Sequence, residues 1–103
     1  TRASVAVGPA EILTPSISNA FPNPTRGGVG FSLVLPGPAN VSVRILDVQG
    51  RRVWSAATRR YDAGRWSLAW DGRTAGRSAP AGVYLARIQA GGRVWSRSIT
   101  IVR

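Results

Sequence analysis

The sequence contains no cysteine, histidine, lysine or methionine, and the first three absences each exclude a kind of chemistry. Without cysteine there is no disulfide framework, zinc finger, iron–sulfur cluster or thiol nucleophile. Without histidine, the commonest metal ligand and the commonest general base are missing. The absence of lysine excludes Schiff-base catalysis. The sequence also has no run of 18 apolar residues, so no transmembrane segment is predicted.

Carboxylates are scarce. Glu11, Asp47, Asp62 and Asp71 stand against 14 arginines, which gives a net charge of +10. The three aspartates lie beside glycine-containing turns, so no pair of acids suggests general acid–base catalysis. We therefore expect a domain that is not an enzyme and that needs no metal ion or cofactor.

Hydrophobic residues alternate with small or polar ones in several short runs, of which 29–35 is the clearest. This period of two indicates strands with one buried face, and no stretch of 11 residues keeps the period of a helix. The predicted strands are 17–21, 29–35, 40–47, 52–58, 65–71, 82–90 and 93–102. Residues 72–81 are rich in glycine, proline and serine, and we expect them to form a crossover between two sheets. The spacing predicts an all-β, antiparallel β-sandwich.

The first 16 residues differ from the rest, because Gly8-Pro9 and Pro15 interrupt two short apolar segments. We expect residues 1–16 to form an extended N-terminal arm or linker and residues 17–103 to form the sandwich domain. The arm is also a candidate donor strand that adds to a sheet edge, within its own chain or in a neighbouring copy. The residues that would pair in this way are Val5, Val7, Ile12 and Leu13.

Two turns carry an aspartate together with a glycine: Asp47 with Gly50, and Asp71 with Gly72. In such turns the carboxylate accepts hydrogen bonds from backbone amides and the glycine adopts a positive φ. The alternative is a calcium site, which needs about six to eight oxygen ligands and usually several carboxylates. With so few acids in the chain, we interpret all four residues as structural.

Trp54 and Trp95 both follow glycine-containing turns, in the repeated sequence Arg-Val-Trp-Ser. We predict that they lie on outer or edge faces and form a partner surface together with Arg52 and Arg93. Such a surface would stack on a sugar ring or a protein partner, or it would hold an arginine over an indole. Partial burial of the two tryptophans is the alternative. Trp66, Trp70 and Tyr84 are expected in the core.

The order of motifs from residue 17 onward resembles a known family. The sequence Asn19-Ala20-Phe21-Pro22-Asn23-Pro24 is similar to the opening of the C-terminal sorting domains of type IX secretion cargo, and of the related Ig-like domain of the flagellar hook-capping protein. Later matches are the segments 41–51, 63–65, 70–73 and 81–88. The resemblance implies a seven-stranded, Ig-like (fibronectin III-like) sandwich without catalytic activity. Arg97 and Arg103 occupy positions where the family usually has lysine in its terminal strand.

This resemblance implies a secreted module at the bacterial cell surface that directs export or attachment. Its partners would be the secretion machinery or an anionic cell-surface polysaccharide. The first alternative is a structural subunit of an extracellular filament, in which identical copies join by strand donation. The second is a carbohydrate-binding module. Specific nucleic-acid binding is not expected, because the sequence has no recognition helix, RNA-binding aromatic motif or clustered basic run.

Overall fold

Residues 14–103, the part of the chain that the computed structural model describes, form nine β-strands and no helix. The strands are β1 (Ser16–Ile17), β2 (Val29–Leu35), β3 (Ala39–Leu46), β4 (Arg52–Tyr61), β5 (Gly64–Trp70), β6 (Arg73–Thr74), β7 (Arg77–Ser78), β8 (Gly82–Ala90) and β9 (Arg93–Ile101). Nothing in this region could therefore cross a membrane as an apolar helix.

Two antiparallel sheets face each other. One has the strand order β1-β2-β5, and the other has the order β4-β3-β8-β9. The connection between β4 and β5 consists of Asp62 and Ala63, and it carries the chain directly from one sheet to the other. The prediction of an all-β, antiparallel, Ig-like sandwich is therefore confirmed as far as fold class and sheet arrangement are concerned.

The core consists of the inward residues of both sheets. In β2, the alternation predicted from the sequence appears as buried Val29, Phe31, Leu33 and Leu35 separated by more exposed residues. Each of these four side chains is at most 5% exposed. The opposite sheet contributes Val41, Val43, Ile45, Tyr84, Ala86, Ile88, Ala90, Ile99 and Ile101. Since side chains alternate across a strand, the inward register of each strand also fixes which residues face outward.

The first strand is shorter than predicted. The sequence indicated a strand over 17–21, but β1 covers only Ser16–Ile17, and Phe21 forms an isolated bridge with Gly30. The regular ladder ends because the backbone amide of Ser32 donates to the hydroxyl of Ser18 rather than to a carbonyl. Pro22 cannot donate to a ladder, so pairing does not resume beyond Phe21.

The predicted crossover over 72–81 contains a small hairpin made of β6 and β7. Ala75 and Gly76 form its tip, with φ of 52° and 78°. Positive φ at both central residues is the hairpin geometry that matches the twist of the flanking strands. Strands of two residues have no period, so the sequence pattern gave no sign of them.

The N-terminal arm was predicted as residues 1–16, but β1 begins at Ser16 and pairs with Val34. The last residue assigned to the arm therefore belongs to the sandwich. The predicted donor residues Val5, Val7, Ile12 and Leu13 lie outside the described residues, so strand donation remains a prediction.

Candidate functional site

The last strand, β9, lies at the edge of the four-stranded sheet, and the segment before β2 bonds to the C-terminal part of its free edge. The side-chain amide of Asn23 donates to the Ser98 carbonyl at 3.0 Å, and its oxygen accepts from the Thr100 backbone amide at 2.9 Å. An amide side chain is both donor and acceptor, so Asn23 replaces one residue of a paired strand. We call Asn23 and its two bonds the asparagine clamp.

Thr25 continues this contact as a short parallel bridge to Ile101. Its backbone amide donates to the Thr100 carbonyl, and its carbonyl accepts from Val102. Its hydroxyl is buried and donates to the Gly28 carbonyl at 2.8 Å while accepting from the Gly27 amide at 3.1 Å. All the hydrogen-bonding groups of this buried residue are therefore used, and they fix the loop that leads into β2.

Arg97 and Arg103, the two basic residues that resemble the family's terminal lysines, point back into the domain. Arg97 pairs with buried Ala86, so it occupies an inward position of β9. Its guanidinium donates to the Ile17 carbonyl at 3.1 Å and to the Ser96 carbonyl at 3.0 Å, which joins the edges of the two sheets. Arg103 donates to the carbonyls of Arg26 and Ala79. Both arginines thus bind backbone within the fold.

The β3–β4 turn is organised by the carboxylate of Asp47. It accepts hydrogen bonds from the backbone amides of Gln49 and Arg51 and from the Arg51 guanidinium, each at 2.9 Å. The hydrogen bond from the Arg51 backbone is the main reason why the pKa of this carboxyl lies below its ordinary value. Gly50 closes the turn with φ of 82°, a conformation in which side chains are disfavoured.

Asp71 and Gly72 shape the turn after β5. The Asp71 carboxylate accepts from the Arg73 backbone amide at 3.0 Å. Gly72 is buried with φ of 78°, and a Cβ at this position would lie 2.5 Å from the Gly27 carbonyl oxygen. Glycine is therefore required both by the backbone conformation and by the approach of the loop before β2. In the described residues, no group of three or more carboxylates could hold a metal ion.

The predicted partner surface is divided by the strand order. Trp54 pairs with Ile45 on one edge of the four-stranded sheet, and Trp95 pairs with Ile88 on the other. Three strand spacings, about 14 Å, separate the two edges. Both indoles are half-buried against the core, and Trp54 lies 6.3 Å from Trp70 between ring centroids.

The arginines predicted beside these tryptophans are separated as well. Arg52 is exposed where β4 begins, and Arg93 is exposed where β9 begins, at opposite ends of the sheet. The four residues predicted to act together, Trp54, Trp95, Arg52 and Arg93, are thus not brought together by the fold.

Trp66 differs from the expectation that it lies in the core, because it is 37% exposed. It shares the inward side of β5 with Leu68 and Trp70, but β5 is an edge strand and the sandwich is open there. Its ring packs edge-on against Tyr61 at 5.1 Å, and its indole N–H donates to the Asp62 carbonyl. Trp70 and Tyr84 are buried, as expected.

Tyr84 has a polar role that the sequence pattern alone did not indicate. Its hydroxyl donates to the carbonyl of Pro80, four residues upstream, at 2.7 Å. Ig-like sandwiches use this arrangement, in which a buried tyrosine bonds back to the preceding backbone, to fix the entry into a central strand. Asn23 and Thr25 were also missed as contacts of β9, although an asparagine between two prolines is a detectable signal.

The concave regions of the surface are shallow. One of them, about 380 Å³, lies between the β3–β4 turn and the start of β8, and Asp47, Arg51, Thr74 and Val83 are among its lining residues. Its one carboxylate is already bonded to Arg51 and to backbone amides. Turn stabilisation is therefore the role that this geometry assigns to Asp47.

Comparison with known proteins supports the fold and identifies the family. The chain is similar to the crystal structure of dimeric latent PorU from Porphyromonas gingivalis, with a TM-score of 0.66 and 24% identity. The match covers 89% of this chain but only 10% of that one, and it shows likeness of fold. A comparison with curated proteins found no match. The family model of the FlgD Ig-like domain matches residues 18–93, more than half of the chain. The resemblance to the hook-capping family is thus confirmed, and the chain belongs to the FlgD Ig-like domain family.

Proposed function

We propose that this chain is a non-catalytic module of a secreted bacterial protein that directs its carrier to the cell surface or holds it there. Family membership supports the proposal, as does the likeness to a domain that makes up a tenth of a longer chain. Domains of one fold serve many functions, so the site must carry the more specific argument.

The observation that carries the proposal is the convergence of distant motif residues on β9. Asn23, Arg97 and Arg103 are separated by up to 80 positions in the sequence, and all of them hold or extend the terminal strand. Together they hold β9 and the residues after it in one fixed position along the edge of the sheet. A secretion machinery that recognises folded cargo would bind this fixed strand edge rather than a free basic peptide.

The test is surface display. The whole chain would be fused behind a reporter with an export signal and expressed in a bacterium that has type IX secretion. Protease accessibility of the reporter would be measured on intact cells. We expect accessible reporter with the natural chain and much less with the double variant Asn23→Ala and Arg97→Gln. The matched control is Arg65→Gln, an exposed position on the other sheet. Reporter that stays inside the cell with the natural chain would refute the proposal.

One observation favours a second candidate, the filament subunit. Within residues 14–103, no strand pairs with the second edge of β5 (Gly64–Trp70), so its outer backbone groups can accept a strand. A donor segment from residues 1–13 of another copy would extend this sheet in a heterologous, open-ended manner. Copies carrying +10 repel each other, so assembly should strengthen as salt screens the charge.

Sedimentation of the whole chain, compared with a variant lacking residues 1–13, tests this second candidate. Pelleting by the whole chain alone, increasing with salt, is the expected result. If the shortened chain pelleted equally well, strand donation would not be the cause of assembly.

A further inference from the structure

Two arginines lie directly opposite each other in the middle of the four-stranded sheet. Arg44 on β3 pairs with Arg87 on β8, and both side chains are exposed on the outer face. Ser55 on β4 pairs with Arg44, and Ser96 on β9 pairs with Arg87. We call these four residues the arginine row, because they cross all four strands at one level.

The arginine row carries two like charges, and no carboxylate of residues 14–103 lies on the same face. Of the described acids, Asp47 lies in the β3–β4 turn and is bonded to Arg51, while Asp62 and Asp71 follow the last residues of β4 and β5. Opposed Cβ atoms in a sheet are about 4.5–5.5 Å apart, and like charges in this position are destabilising. Arginine side chains that start at this spacing are long enough to reach the same anionic group, and a guanidinium can bind a carboxylate or phosphate in a planar, bidentate manner.

A polar hollow of about 320 Å³ adjoins the row on the same face. Its lining includes the side chains of Asn40, Ser42, Thr58 and Gln89. Ser42 pairs with Gln89 two residues along the strands from the two arginines. Hydroxyl and amide groups next to paired cations suit a ligand that has many hydroxyl groups as well as negative charges.

The face does not suit nucleic acid. Proteins that bind single strands stack the bases on aromatic side chains, and duplex readers insert a helix or a ribbon into a groove. The aromatic residues of this sheet pair with inward positions, as in Trp54 with Ile45, Tyr84 with Ile99 and Trp95 with Ile88. None of them is available for stacking on the outer face.

We propose that the arginine row and the adjacent polar hollow bind an anionic polysaccharide. Arg44 and Arg87 would clamp a carboxylate or phosphate group, while Ser42 and Gln89 bond neighbouring sugar hydroxyls. This inference rests on the proposed function, since it gives a surface module a ligand at the cell surface. It adds a site that is distinct from the surface along β9.

The test uses the purified whole chain and polygalacturonate, with neutral dextran and a thymidine oligonucleotide for comparison. At about 0.15 M salt, attraction between exposed charges more than about 8 Å apart is largely screened, which reduces unspecific binding. We expect calorimetry to detect polygalacturonate binding that weakens about tenfold or more in the double variant Arg44→Gln and Arg87→Gln. The double variant Arg65→Gln and Arg77→Gln removes the same charge from exposed positions elsewhere, and it should weaken binding less than about threefold.

Equal weakening in both double variants would overturn the site, because net charge would then explain the binding. Absence of polygalacturonate binding, binding of dextran with similar affinity, or tighter binding of the oligonucleotide would overturn the ligand class. The Arg44→Gln and Arg87→Gln variant should unfold at a higher temperature than the natural chain, and an equal or lower temperature would contradict the repulsion argument. Surface display of the reporter is measured separately, so loss of either activity is distinguished from loss of the other.

Discussion

Replacing Asn23 by Ala removes both bonds of the asparagine clamp and leaves the Ser98 carbonyl and the Thr100 amide on an open sheet edge. A net contribution of about 0.5–1.5 kcal/mol per bond gives about 1–3 kcal/mol for the pair. The side chain is exposed and water replaces it in part, so we expect the lower half of this range. For a domain of this size a loss of about 1–2 kcal/mol corresponds to a fall in Tm of about 4–16 °C.

Urea unfolding followed by tryptophan fluorescence measures the global effect, and hydrogen exchange measures the local one. The amide of Thr100 should lose protection more than the amide of Ile88 in the centre of the sheet, because the clamp acts on the edge. Asn19→Ala, an exposed asparagine in the same segment, is the matched control. If both alanine variants had equal stability and equal exchange at Thr100, the clamp would not hold β9.

Three further predictions concern the turns and the core. Tyr84→Phe leaves the Pro80 carbonyl without its hydrogen-bond donor. The variant should lower the free energy of unfolding, measured with urea, by about 1 kcal/mol and leave the m-value unchanged. Gly72→Ala should destabilise the domain more than Gly50→Ala. Both positions have positive φ, which costs an alanine about 1–2 kcal/mol of unfolding free energy. Only at Gly72 would the added Cβ also collide with backbone, so equal losses of unfolding free energy in the two variants would contradict the packing argument. The pKa of the Asp47 carboxyl is lowered in the folded state. The ionised carboxylate therefore adds to the free energy of unfolding above the unfolded pKa of about 3.9, and this contribution is lost as pH falls through the folded pKa. As the pH is lowered below about 4, the urea concentration at the unfolding midpoint should therefore fall less steeply for Asp47→Asn than for the natural chain.

The sequence predicted the long strands because each has one buried face, and in β2 the alternation of Val29, Phe31, Leu33 and Leu35 is sufficient by itself. It did not predict the end of β1, which depends on the Ser18 hydroxyl taking the place of a backbone acceptor for Ser32. That exchange is a contact between residues 14 positions apart and leaves no local pattern. Short strands and side-chain bonds to distant backbone are therefore the features that sequence periodicity misses.

Exposure also depends on which strand lies at an edge. The sequence correctly predicted which side of β5 faces inward. Trp66 is nevertheless partly exposed, because no strand among the described residues covers that edge. Trp54 and Trp95 do not lie together for a related reason, because the strands that carry them, β4 and β9, are the two edge strands of one sheet. Periodicity gives the face of a residue, and only strand order gives its neighbours.

Some arginines form hydrogen bonds within the fold and others do not, and replacing the two kinds should have different effects on stability. Arg51, Arg97 and Arg103 bond carboxylate or backbone oxygens, and their replacement should act mainly on folding. Arg44 and Arg87 are opposed to each other, and within residues 14–103 neither guanidinium forms an ion pair, so like-charge repulsion in the middle of the sheet costs stability. A carboxylate at one of these two positions would remove the repulsion, since opposite charges at paired positions are favourable. The proposed polysaccharide site accounts for this pair, because a bound anionic group would offset the repulsion between the two guanidinium groups.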